Sequence, residues 1–504
     1  MVYKKSQSRK TSIFPLGLGH LAAVLEKDYE VKLLDSALQG FDNEVEQENG
    51  LNCYGLTDDQ YIKAIADFAP DVVGVSCLFS SLQKQALRVA DLAKQTNPHI
   101  ITVMGGPHAS ALPGIVMRHP SLDFAVIGEG EQPLLGLLER LRQGKEPADL
   151  DGIAYRKDGE IKTNPALNLT EDLDSLPFPA WHLLDMETYF NIGSVQGLRM
   201  DGTKKRLRLL QIATSRGCPF SCTYCGKSAV WGDGIRFMSP RRVMELLELA
   251  VEKYSVERIA FQDDNLTVNK KRAHELFQLM AGRQLPLTWE AHNGLAFSTL
   301  DESILDAMKE SGCVSFTGAV ESGSPQVLKK VKKKVDLERA IELADYARKI
   351  GLDVRAFYII GFPGETAAQI EATREHMRRM QASVSALALY TPLPGSLLYQ
   401  ELESQGVLDS NNLDFEKLSF GAFDMQLSEV TVDELHRIRK IDWIKNVFAD
   451  RGGNLKEDLD MDPQLAITEL KNGLELYPDS PEIIKLYEQA KEKYGRELAT
   501  ERSY

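Results

Sequence analysis

Short apolar stretches alternate with helix-like stretches in two long series, and this alternation limits the folds open to the chain more than any other feature. The predicted strands of the first series are Tyr29–Asp35, Asp71–Ser76, Ile100–Met104 and Phe124–Ile127. Those of the second series are Leu209–Thr214, Arg258–Gln262, Leu287–Ala291, Val314–Val320, Asp353–Ile360 and Ser385–Tyr390. Apolar strands joined by helices are typical of parallel sheets with both faces covered. We therefore predict an α/β protein with two such sheets.

The two series divide the 504 residues into four predicted regions. Residues 1–150 form a Rossmann-like (flavodoxin-like) domain, and residues 151–205, with a hairpin signal at Asp158-Gly159, form a linker. Residues 206–425 hold six β/α units, which indicates a partial (β/α)6 TIM barrel rather than a full barrel. Residues 426–504 are predicted to be a C-terminal helical region. In both kinds of sheet, ligands bind beyond the carboxyl ends of the strands.

Composition and charge exclude several classes of protein. The 73 acidic residues outnumber the 59 lysines and arginines, and a net charge of −14 argues against a protein that coats nucleic acid. No apolar run approaches the length of about 18 residues that a membrane span needs, and the N-terminus lacks a secretory apolar core. Six cysteines in so long a chain do not form a disulfide scaffold. We expect a cytoplasmic protein that acts on a small molecule, without membrane or nucleic-acid partners.

Three of the six cysteines, Cys218, Cys222 and Cys225, lie within eight residues. Thiolates bind zinc, cuprous copper and iron–sulfur clusters. A local zinc site needs a fourth ligand, which is missing nearby, whereas three cysteines suit a [4Fe–4S] cluster with one iron left open. The same spacing would place three buried cysteines on one helix face, but Gly217 and Pro219 disfavour a helix there. The segment follows a predicted barrel strand, where active-site residues gather.

The motif Cys-x3-Cys-x2-Cys, with an aromatic residue before its last cysteine, resembles the signature of the radical S-adenosylmethionine (SAM) superfamily. The resemblance extends over about residues 205–400 and includes polar or glycine residues after the second, fourth and fifth barrel strands. It implies a [4Fe–4S] cluster held by the three cysteines. It also implies a SAM site formed by Tyr224, Gln262, Asp263, Glu321 and Gly361. Taken alone, Glu321 would be a solvated carboxylate and Gly361 a turn glycine.

The first domain resembles the cobalamin-binding domain that precedes the barrel in one branch of that superfamily. The resemblance rests on the segment Asp35–Gly40, on Ser76-Cys77-Leu78 and on Gly105-Gly106. Ala37 stands where the older cobalamin fingerprint has a cobalt-ligating histidine. The cobalamin site that the resemblance implies contains Ser76, Leu78, Gly105, Gly106, Gly128 and Glu129.

Two features of this domain remain open at the level of sequence. His108 either lines the cobalamin site or is a merely polar surface histidine. The first, central strand of the family's sheet has no counterpart in Met1–Ile13, which is basic and polar, so either the true start lies upstream of Met1 or the sheet tolerates a gap.

Together the two resemblances imply a cobalamin-dependent radical SAM enzyme of the class B methyltransferase type. Such an enzyme moves a methyl group from methylcobalamin to an unactivated carbon by way of a 5′-deoxyadenosyl radical. It needs an electron donor of the flavodoxin or ferredoxin type, and we assign no general acid or base. The segments Tyr54–Asp59, Pro177–His182 and Gln262–Asn265 are similar to segments of fosfomycin-biosynthesis methylases, which makes a nucleotide-linked phosphonate one candidate substrate.

Three alternatives stay open. A cyclase of the bacteriochlorophyll-synthesis type shares both domains, and only product analysis separates it from a methylase. A transfer-RNA-modifying enzyme is suggested by the basic runs Lys204–Arg206 and Lys329–Lys334, although such runs are usually solvated. A cobalamin-binding regulator would show no cluster chromophore and no SAM cleavage after anaerobic reconstitution.

Overall fold

The structure, a computed structural model, describes residues 2–3, 13–46, 52–192, 207–418, 423–449, 454–456 and 463–501. The chain forms two compact units. The first unit contains residues 1–194, 208–266 and 391–423, and the second contains residues 195–207, 267–390 and 424–504. The predicted cobalamin domain, the cysteine motif and the first two barrel strands thus belong to the first unit. The other four barrel strands and the C-terminal helices belong to the second.

The elements are numbered in chain order. The strands are β1 (Val2–Tyr3), β2 (Glu44–Glu46), β3 (Asn52–Tyr54), β4 (Val72–Ser76), β5 (Ile101–Gly105), β6 (Phe124–Val126), β7 (Ile153–Lys157), β8 (Glu160–Thr163), β9 (Leu209–Ile212), β10 (Ser215–Gly217), β11 (Ile235–Phe237), β12 (Arg258–Phe261), β13 (Thr288–Leu295), β14 (Cys313–Glu321), β15 (Asp353–Ile360) and β16 (Val384–Leu389). The helices are α1 (Leu16–Leu25), α2 (Ser36–Gln39), α3 (Asp58–Phe68), α4 (Gln83–Thr96), α5 (Pro107–Ala111), α6 (Pro113–Val116), α7 (Glu131–Arg142), α8 (Met186–Ile192), α9 (Ser228–Trp231), α10 (Pro240–Tyr254), α11 (Lys270–Arg283), α12 (Glu302–Glu310), α13 (Pro325–Lys330), α14 (Leu337–Lys349), α15 (Ala367–Met380), α16 (Leu397–Ser404), α17 (Val432–Phe448), α18 (Pro463–Leu476) and α19 (Pro481–Glu501).

A five-stranded sheet, ordered β4-β5-β6-β7-β8, lies at the centre of the predicted cobalamin domain. β4, β5 and β6 run parallel, and β7 and β8 form the predicted hairpin, which turns at Asp158-Gly159. The hairpin was assigned to the linker 151–205, but β7 pairs with β6, so residues 153–163 belong to the sheet of the first domain. Successive residues of β5 point into two separate cores, because side chains alternate along a strand. Met104 packs with Ala125 on one face, and Val103 packs with Val126 on the other. Both faces are therefore covered, which confirms the predicted parallel α/β arrangement.

The strand predicted at Tyr29–Asp35 is wrong. This segment is extended but pairs with no strand, and Val31 and Leu33 pack against Ala22 and Ala23 of α1 instead. A β-strand needs a neighbour for its backbone hydrogen bonds, and within the described residues β4 is the edge of the sheet. Val2–Tyr3 does pair, but antiparallel with β3 in a separate three-stranded sheet. Among the described residues the five strands of this sheet are contiguous, so the sheet has no internal gap, and no central strand lies beside β4.

The six predicted strands of the second series are all present, with small differences at their ends. In the first unit, β9 and β12 are parallel neighbours, and β10 and β11 form an antiparallel pair. In the second unit, β13, β14, β15 and β16 are parallel neighbours in chain order. Trp289 of β13 stacks on Phe277 of α11 with ring centroids 5.1 Å apart, so helices cover one face of these strands.

The C-terminal helices α17, α18 and α19 pack around a shared apolar core, as predicted for this region. The core includes Ile444, Phe448, Leu470, Ile483 and Leu486. In the part of the chain that the structure describes, no helix is both long enough and apolar enough to span a membrane.

Candidate active site

The three predicted cluster ligands lie on the loop Cys218–Cys225, called here the cluster loop, which follows β10. β10 pairs with β11, so that Arg216 lies opposite Arg236. Gly217 joins β10 to the loop with a φ of 87°, and a Cβ atom there would lie 2.4 Å from the carbonyl oxygen of Gly234. Only glycine fits such a close approach, so β11 fixes the point at which the cluster loop begins.

The thiols of Cys218, Cys222 and Cys225 are free and lie near enough to influence one another electrostatically. Desolvation raises the thiol pKa of Cys218 and of Cys225, and the carboxylate of Asp264 raises the pKa of both further. Metal binding to these thiols must therefore release protons. Among the described residues, no three His, Cys, Asp or Glu side chains are already gathered into a metal-binding arrangement. The chemistry of the donor set, three thiols without a nearby imidazole, still fits an iron–sulfur cluster with one open iron.

Asp263, predicted to contact SAM, is buried and engaged by the residues just before the cluster loop. Its Oδ1 accepts hydrogen bonds from the hydroxyls of Thr214, at 2.8 Å, and Ser215, and its Oδ2 accepts from the N–H of Thr214 at 3.1 Å. The backbone of Gln262 at the same strand end donates to the carbonyl of Ile212 at 2.7 Å. Asp263 thus joins the end of β12 to the start of the cluster loop. A direct contact with SAM stays a prediction, as it does for half-buried Tyr224.

Asp264, rather than its neighbour, is the acidic residue that acts on the cysteines electrostatically. Burial raises the pKa of Asp264 to about 6, and the adjacent Asp263 raises it as well. Sequence reasoning missed this residue, although the doubled aspartate directly after a predicted strand was a usable signal.

The residues predicted for cobalamin lie together at the carboxyl ends of β4, β5 and β6. Ser76 is the register partner of Gly105, and the N–H of Cys77 donates to the carbonyl of Gly105 at 2.9 Å. Gly106 has a φ of 96°, and a Cβ there would lie 2.8 Å from the carbonyl oxygen of Cys77. The N–H of Gly128, on the next strand end, donates to the hydroxyl of Ser110 at 2.9 Å. The predicted glycines are therefore brought to one edge of the sheet, with their backbones close together.

An exposed apolar pair completes this edge. Leu78 and Phe79 are each 48 % exposed, directly after β4. Large apolar side chains in the open mark sites that a ligand or partner covers. An exposed apolar pair beside these strand ends fits a bulky organic cofactor such as cobalamin.

The segment Asp35–Gly40 keeps its aspartate and glycine for local reasons. Asp35 caps α2 by accepting the N–H of Ala37 at 2.9 Å, and its other oxygen accepts the hydroxyl of Tyr189. A Cβ on Gly40 would lie 2.0 Å from the carbonyl carbon of Gly55. With Ala37 on α2, this motif presents no imidazole to a bound corrin.

His108 is a satisfied buried histidine. Its Nδ1 lies 2.9 Å from the hydroxyl of Ser80, its Nε2 lies 2.5 Å from Oε1 of Gln83, and its ring meets Phe415 edge-on. Burial lowers the pKa of His108 to about 4, so the ring is neutral at physiological pH. The prediction of a surface histidine is therefore wrong, because His108 is buried, and a contact with cobalamin stays a prediction.

Glu129, predicted as a cobalamin contact, belongs to a buried set of four charges that sequence reasoning missed. We call Glu129, Glu131, Arg216 and Arg236 the Arg216 joint. Arg216 donates to Oε2 of Glu129 at 3.0 Å and also to both carboxylate oxygens of Glu131. Arg236 lies 2.5 Å from Oε1 of Glu129. A carboxylate held by two guanidinium groups is not free to face a corrin amide, so the predicted side-chain contact remains without support.

The balance of charge in the joint is visible at Glu131. Burial alone would raise the pKa of this carboxyl, but the Arg216 guanidinium outweighs burial and the pKa is lowered. The pKa of nearby His20 is also lowered, to about 4, because burial and the Arg216 guanidinium both disfavour the charged imidazole. At neutral pH Glu131 is therefore ionised, and the imidazole of His20 beside it is uncharged.

In the second unit, Glu321 ends β14 in a strained backbone conformation. Its φ is 72°, a left-handed value that a glutamate rarely adopts, and strain of this kind is found most often at functional sites. Its Oε1 lies 3.1 Å from Nζ of Lys333, and both side chains are about nine-tenths buried. Lys330 donates to the carbonyl of Pro363. Two lysines of the basic run thus turn toward strand ends, whereas Lys204–Arg206 lies outside the described residues.

Gly361 opens the loop Gly361–Glu365, called here the Gly361 loop, at the end of β15. Oε2 of buried Glu365 accepts the N–H groups of Gly361 and Phe362 at 2.6 and 3.0 Å. Its Oε1 is buried and has no hydrogen-bond partner among the described groups. An unused buried acceptor beside a predicted SAM residue fits a ligand that supplies a donor.

The C-terminal region braces the same loop. The N–H of Gly364 donates to the carbonyl of Leu427 at 2.9 Å, and the N–H of Glu429 donates to the carbonyl of Glu365 at 3.0 Å. Leu435 of α17 is packed so closely that a Cβ on Gly361 would lie 2.8 Å from its Cδ1. The segment before α17 and its first turn therefore fix the shape of the Gly361 loop.

Comparison with known families identifies both domains. Residues 7–138 match the B12 binding domain, and residues 212–377 match the radical SAM superfamily. The fold and the site thus define a radical SAM enzyme with a B12-binding domain, whose cofactors are a [4Fe–4S] cluster, SAM and cobalamin.

Sequence identity to a known protein identifies the family within this superfamily. Cytidylyl-2-hydroxyethylphosphonate methyltransferase of Streptomyces wedmorensis is 36 % identical over 427 residues, which cover 79 % of this chain and 79 % of that protein. The chain belongs to this family of cobalamin-dependent radical SAM methyltransferases, as the sequence predicted.

Two solved structures share the fold. OxsB with aqua-cobalamin and SAM bound covers 96 % of this chain and 73 % of its own, with a TM-score of 0.68 and 17 % identity. TsrM from Kitasatospora setae with cobalamin and a [4Fe–4S] cluster covers 79 % and 73 %, with a TM-score of 0.61 and 18 % identity. These structures confirm the predicted order of domains and the α/β fold.

Proposed function

We propose that this enzyme methylates an unactivated carbon of a nucleotide-linked phosphonate. The observation that carries the proposal is the 36 % identity to a methyltransferase whose substrate is cytidylyl-2-hydroxyethylphosphonate. A lysine of the second unit adds support. Lys330 brings an ammonium group to the carboxyl end of β15, where it donates to the carbonyl of Pro363, and its remaining N–H groups suit an anionic substrate.

The residue assignments belong to the same proposal. Cys218, Cys222 and Cys225 hold the cluster; Tyr224, Gln262, Asp263, Glu321 and Gly361 bind SAM; and Ser76, Leu78, Gly105, Gly106 and Gly128 contact cobalamin. When bound, these cofactors supply a hydrogen-abstracting radical and a transferable methyl group. Glu129 contributes through its position on the loop, because its carboxylate is taken up by arginines.

The chain itself binds, orients and keeps water out. Asp263 ties the cluster loop to β12, Glu365 and the C-terminal region shape the Gly361 loop, and Lys333 neutralises Glu321. A radical route needs no proton transfer to start, so paired and hydrogen-bonded carboxylates at these positions are consistent with binding rather than acid–base roles.

The test is a product analysis with reconstituted protein under anaerobic conditions. The protein is supplied with SAM, methylcobalamin and a one-electron donor, and with either cytidylyl-2-hydroxyethylphosphonate or free 2-hydroxyethylphosphonate. We expect a product heavier by one CH2 group, together with 5′-deoxyadenosine, from the nucleotide-linked substrate alone. Recovery of both phosphonates unchanged, while SAM is cleaved, would remove the substrate class from the proposal. A product that loses hydrogen without gaining carbon would indicate a cyclase instead.

A partner and a compartment follow from the chemistry. The cluster must be reduced by one electron, so we propose a flavodoxin or ferredoxin as the donor. Free cysteines and an oxygen-sensitive cluster suit the reducing cytoplasm. Reduction of the cluster by a purified flavodoxin system, followed by its electron paramagnetic resonance (EPR) signal, tests the first point.

A further inference from the structure

We propose that Arg216 is a positioning residue through which the Arg216 joint couples the cobalamin site to the cluster loop, so that filling either site changes the other. The inference rests on the proposed cofactor sites and goes beyond them, because nothing in a set of cofactor ligands requires the two sites to communicate. It concerns residues that bind neither cofactor directly.

The first step is the geometry of the joint. Nη1 of Arg216 donates to Oε2 of Glu129 at 3.0 Å and to Oε2 of Glu131 at 3.3 Å, while its Nη2 donates to Oε1 of Glu131. Nη2 of Arg236 lies 2.5 Å from the second oxygen of Glu129, and its Nη1 donates to the carbonyl of Thr170 at 2.8 Å. Oε2 of Glu129 also accepts the N–H of Thr170 at 3.0 Å. Glu129 is thus held by Arg216, Arg236 and the backbone of Thr170, whereas both oxygens of Glu131 are held by Arg216.

The second step is burial. The side chains of Arg216 and Arg236 are each 10 % exposed, and those of Glu129 and Glu131 are 3 % and 6 % exposed. Removing one partner of a buried pair leaves an uncompensated charge in a low-dielectric site, which is strongly unfavourable. An ion pair on the surface contributes little free energy and breaks easily, whereas breaking any of these buried pairs is costly, so the four side chains stay in place together.

The third step is the path along the chain. Arg216 lies two residues before Cys218, and β10 keeps it opposite Arg236 in β11. Glu129 directly follows Gly128, whose N–H is fixed to Ser110 at the proposed cobalamin edge. One rigid set of contacts therefore connects the backbone that meets the corrin with the backbone that presents the first cluster ligand.

The consequence is a reciprocal coupling. If the cluster orders its loop in the position that the joint favours, cobalamin binds more tightly to cluster-loaded protein than to protein without the cluster. Linkage requires the same factor in the other direction. The readout is thus an affinity and a spectrum rather than turnover.

The experiment measures the dissociation constant of hydroxocobalamin by visible absorbance, on protein with and without the reconstituted cluster. We expect wild-type protein to bind about fivefold or more tightly when the cluster is present, the lower end of typical allosteric coupling. Glu131→Gln keeps the shape of the side chain and removes one charge of the joint, and it should reduce this ratio below about twofold. Arg216→Lys, which keeps the charge and loses the two-pronged contact, is the second variant and should act in the same direction.

A matched control separates positioning from general damage. Arg242 of the same unit stacks on Phe178 at 3.6 Å and donates to the carbonyl of Leu176 at 2.9 Å, but it contacts no residue of the joint. Arg242→Met should keep the wild-type ratio of affinities. The EPR spectrum of the reduced cluster should shift on cobalamin addition in wild-type and Arg242→Met protein, and stay unchanged in Glu131→Gln.

Three results would each contradict a different part of the proposal. Equal cobalamin affinity with and without the cluster in wild-type protein overturns the coupling while leaving both cofactor sites intact. An equal loss of coupling in Arg242→Met and Glu131→Gln overturns the role of the joint. Failure of wild-type protein to bind cobalamin at all would refute the proposed site, and the coupling with it.

Discussion

At the scale of single residues, position in the chain distinguishes the cysteines proposed as cluster ligands from the other cysteines. Cys222 lies within the loop, whereas Cys313 is buried at the start of β14. Neither of these two cysteines forms a disulfide, so total cysteine content does not distinguish them. Their positions do, because among the described cysteines those of the loop lie near enough to influence one another electrostatically, and thiolates grouped in this way suit a shared metal centre.

Cys222→Ala should abolish cluster assembly and with it the formation of 5′-deoxyadenosine. One lost thiolate leaves two ligands for a cluster that needs three. Iron and sulfide analysis after anaerobic reconstitution, with the visible absorbance of the cluster, checks this. Cys313→Ala is the control and should keep wild-type iron content. Equal iron in both variants would contradict the ligand assignment.

Glu365 makes a separate prediction about pH. Burial raises its pKa to about 7, although the N–H groups of Phe362 and Gly361 counteract part of that effect. Because the folded-state pKa is above the ordinary value, the protonated form is favoured by folding. The stability that this group contributes is fully present below about pH 4.5 and is lost as the pH rises through 7.

Glu365→Gln should remove that pH dependence, since a neutral amide can accept the same backbone N–H groups. Relative to wild-type protein, the variant should gain about 2 kcal/mol in free energy of unfolding between pH 5.5 and pH 8. Urea unfolding at the two pH values measures the difference. A variant that tracks the wild type at both values would show that Glu365 does not titrate in this range.

Residue identity explains what sequence could and could not predict at this scale. Cys218, Gly106 and Gly217 were readable because a ligand motif or a close backbone approach leaves a local signal. Glu129 was predicted to contact the corrin, but its partner Arg216 is 87 residues further along the chain. No local pattern reveals a contact of that range.

At the scale of elements, the C-terminal helix α17 has a role that its sequence did not reveal. Leu435 is 5 % exposed and lies against Gly361, and Arg374 of α15 makes two hydrogen bonds, of 2.7 and 2.9 Å, to Asp442 of α17. The helix is therefore attached to the element that follows the Gly361 loop as well as to the loop itself. Its position makes the proposed SAM site depend on residues beyond the barrel.

Leu435→Ala should weaken SAM binding by roughly tenfold, because the cavity it leaves lets the Gly361 loop relax. Leu470→Ala is the matched control, since Leu470 is fully buried in the core shared by α17, α18 and α19. Both variants should lose stability, but only the first should lose SAM affinity in equilibrium binding. Similar SAM affinities in the two variants would argue against the bracing role of α17.

Elements also show where a strand prediction fails. The barrel strands were found from sequence because each is an apolar run that pairs with the strand before or after it in the same series. Tyr29–Asp35 has the composition of a strand but no neighbour among the described residues, and composition cannot supply one. Whether an apolar segment becomes a strand depends on a neighbouring strand to pair with, and the apolar pattern alone does not show one.

At the scale of the whole molecule, bound cobalamin should raise the stability of the protein by mass action. At a hundredfold excess over its dissociation constant, the gain is about 2.7 kcal/mol. Gly106→Ala should reduce both this gain and basal stability, since a Cβ at φ 96° would lie 2.8 Å from the Cys77 carbonyl. Gly74→Ala in β4 is the control, because a Cβ there meets nothing within 4 Å. Thermal unfolding with and without hydroxocobalamin compares them, and equal shifts in both variants would place cobalamin elsewhere.

The four buried charges of the joint also limit how this protein can be rebuilt from parts. A chimaera that exchanges residues 1–150 for a relative's corrinoid module inherits Arg216 and Arg236 from the recipient but not their acids. The guanidinium groups of Arg216 and Arg236 would then be buried without carboxylate partners. A functional chimaera therefore needs carboxylates at the positions of Glu129 and Glu131 in the exchanged domain.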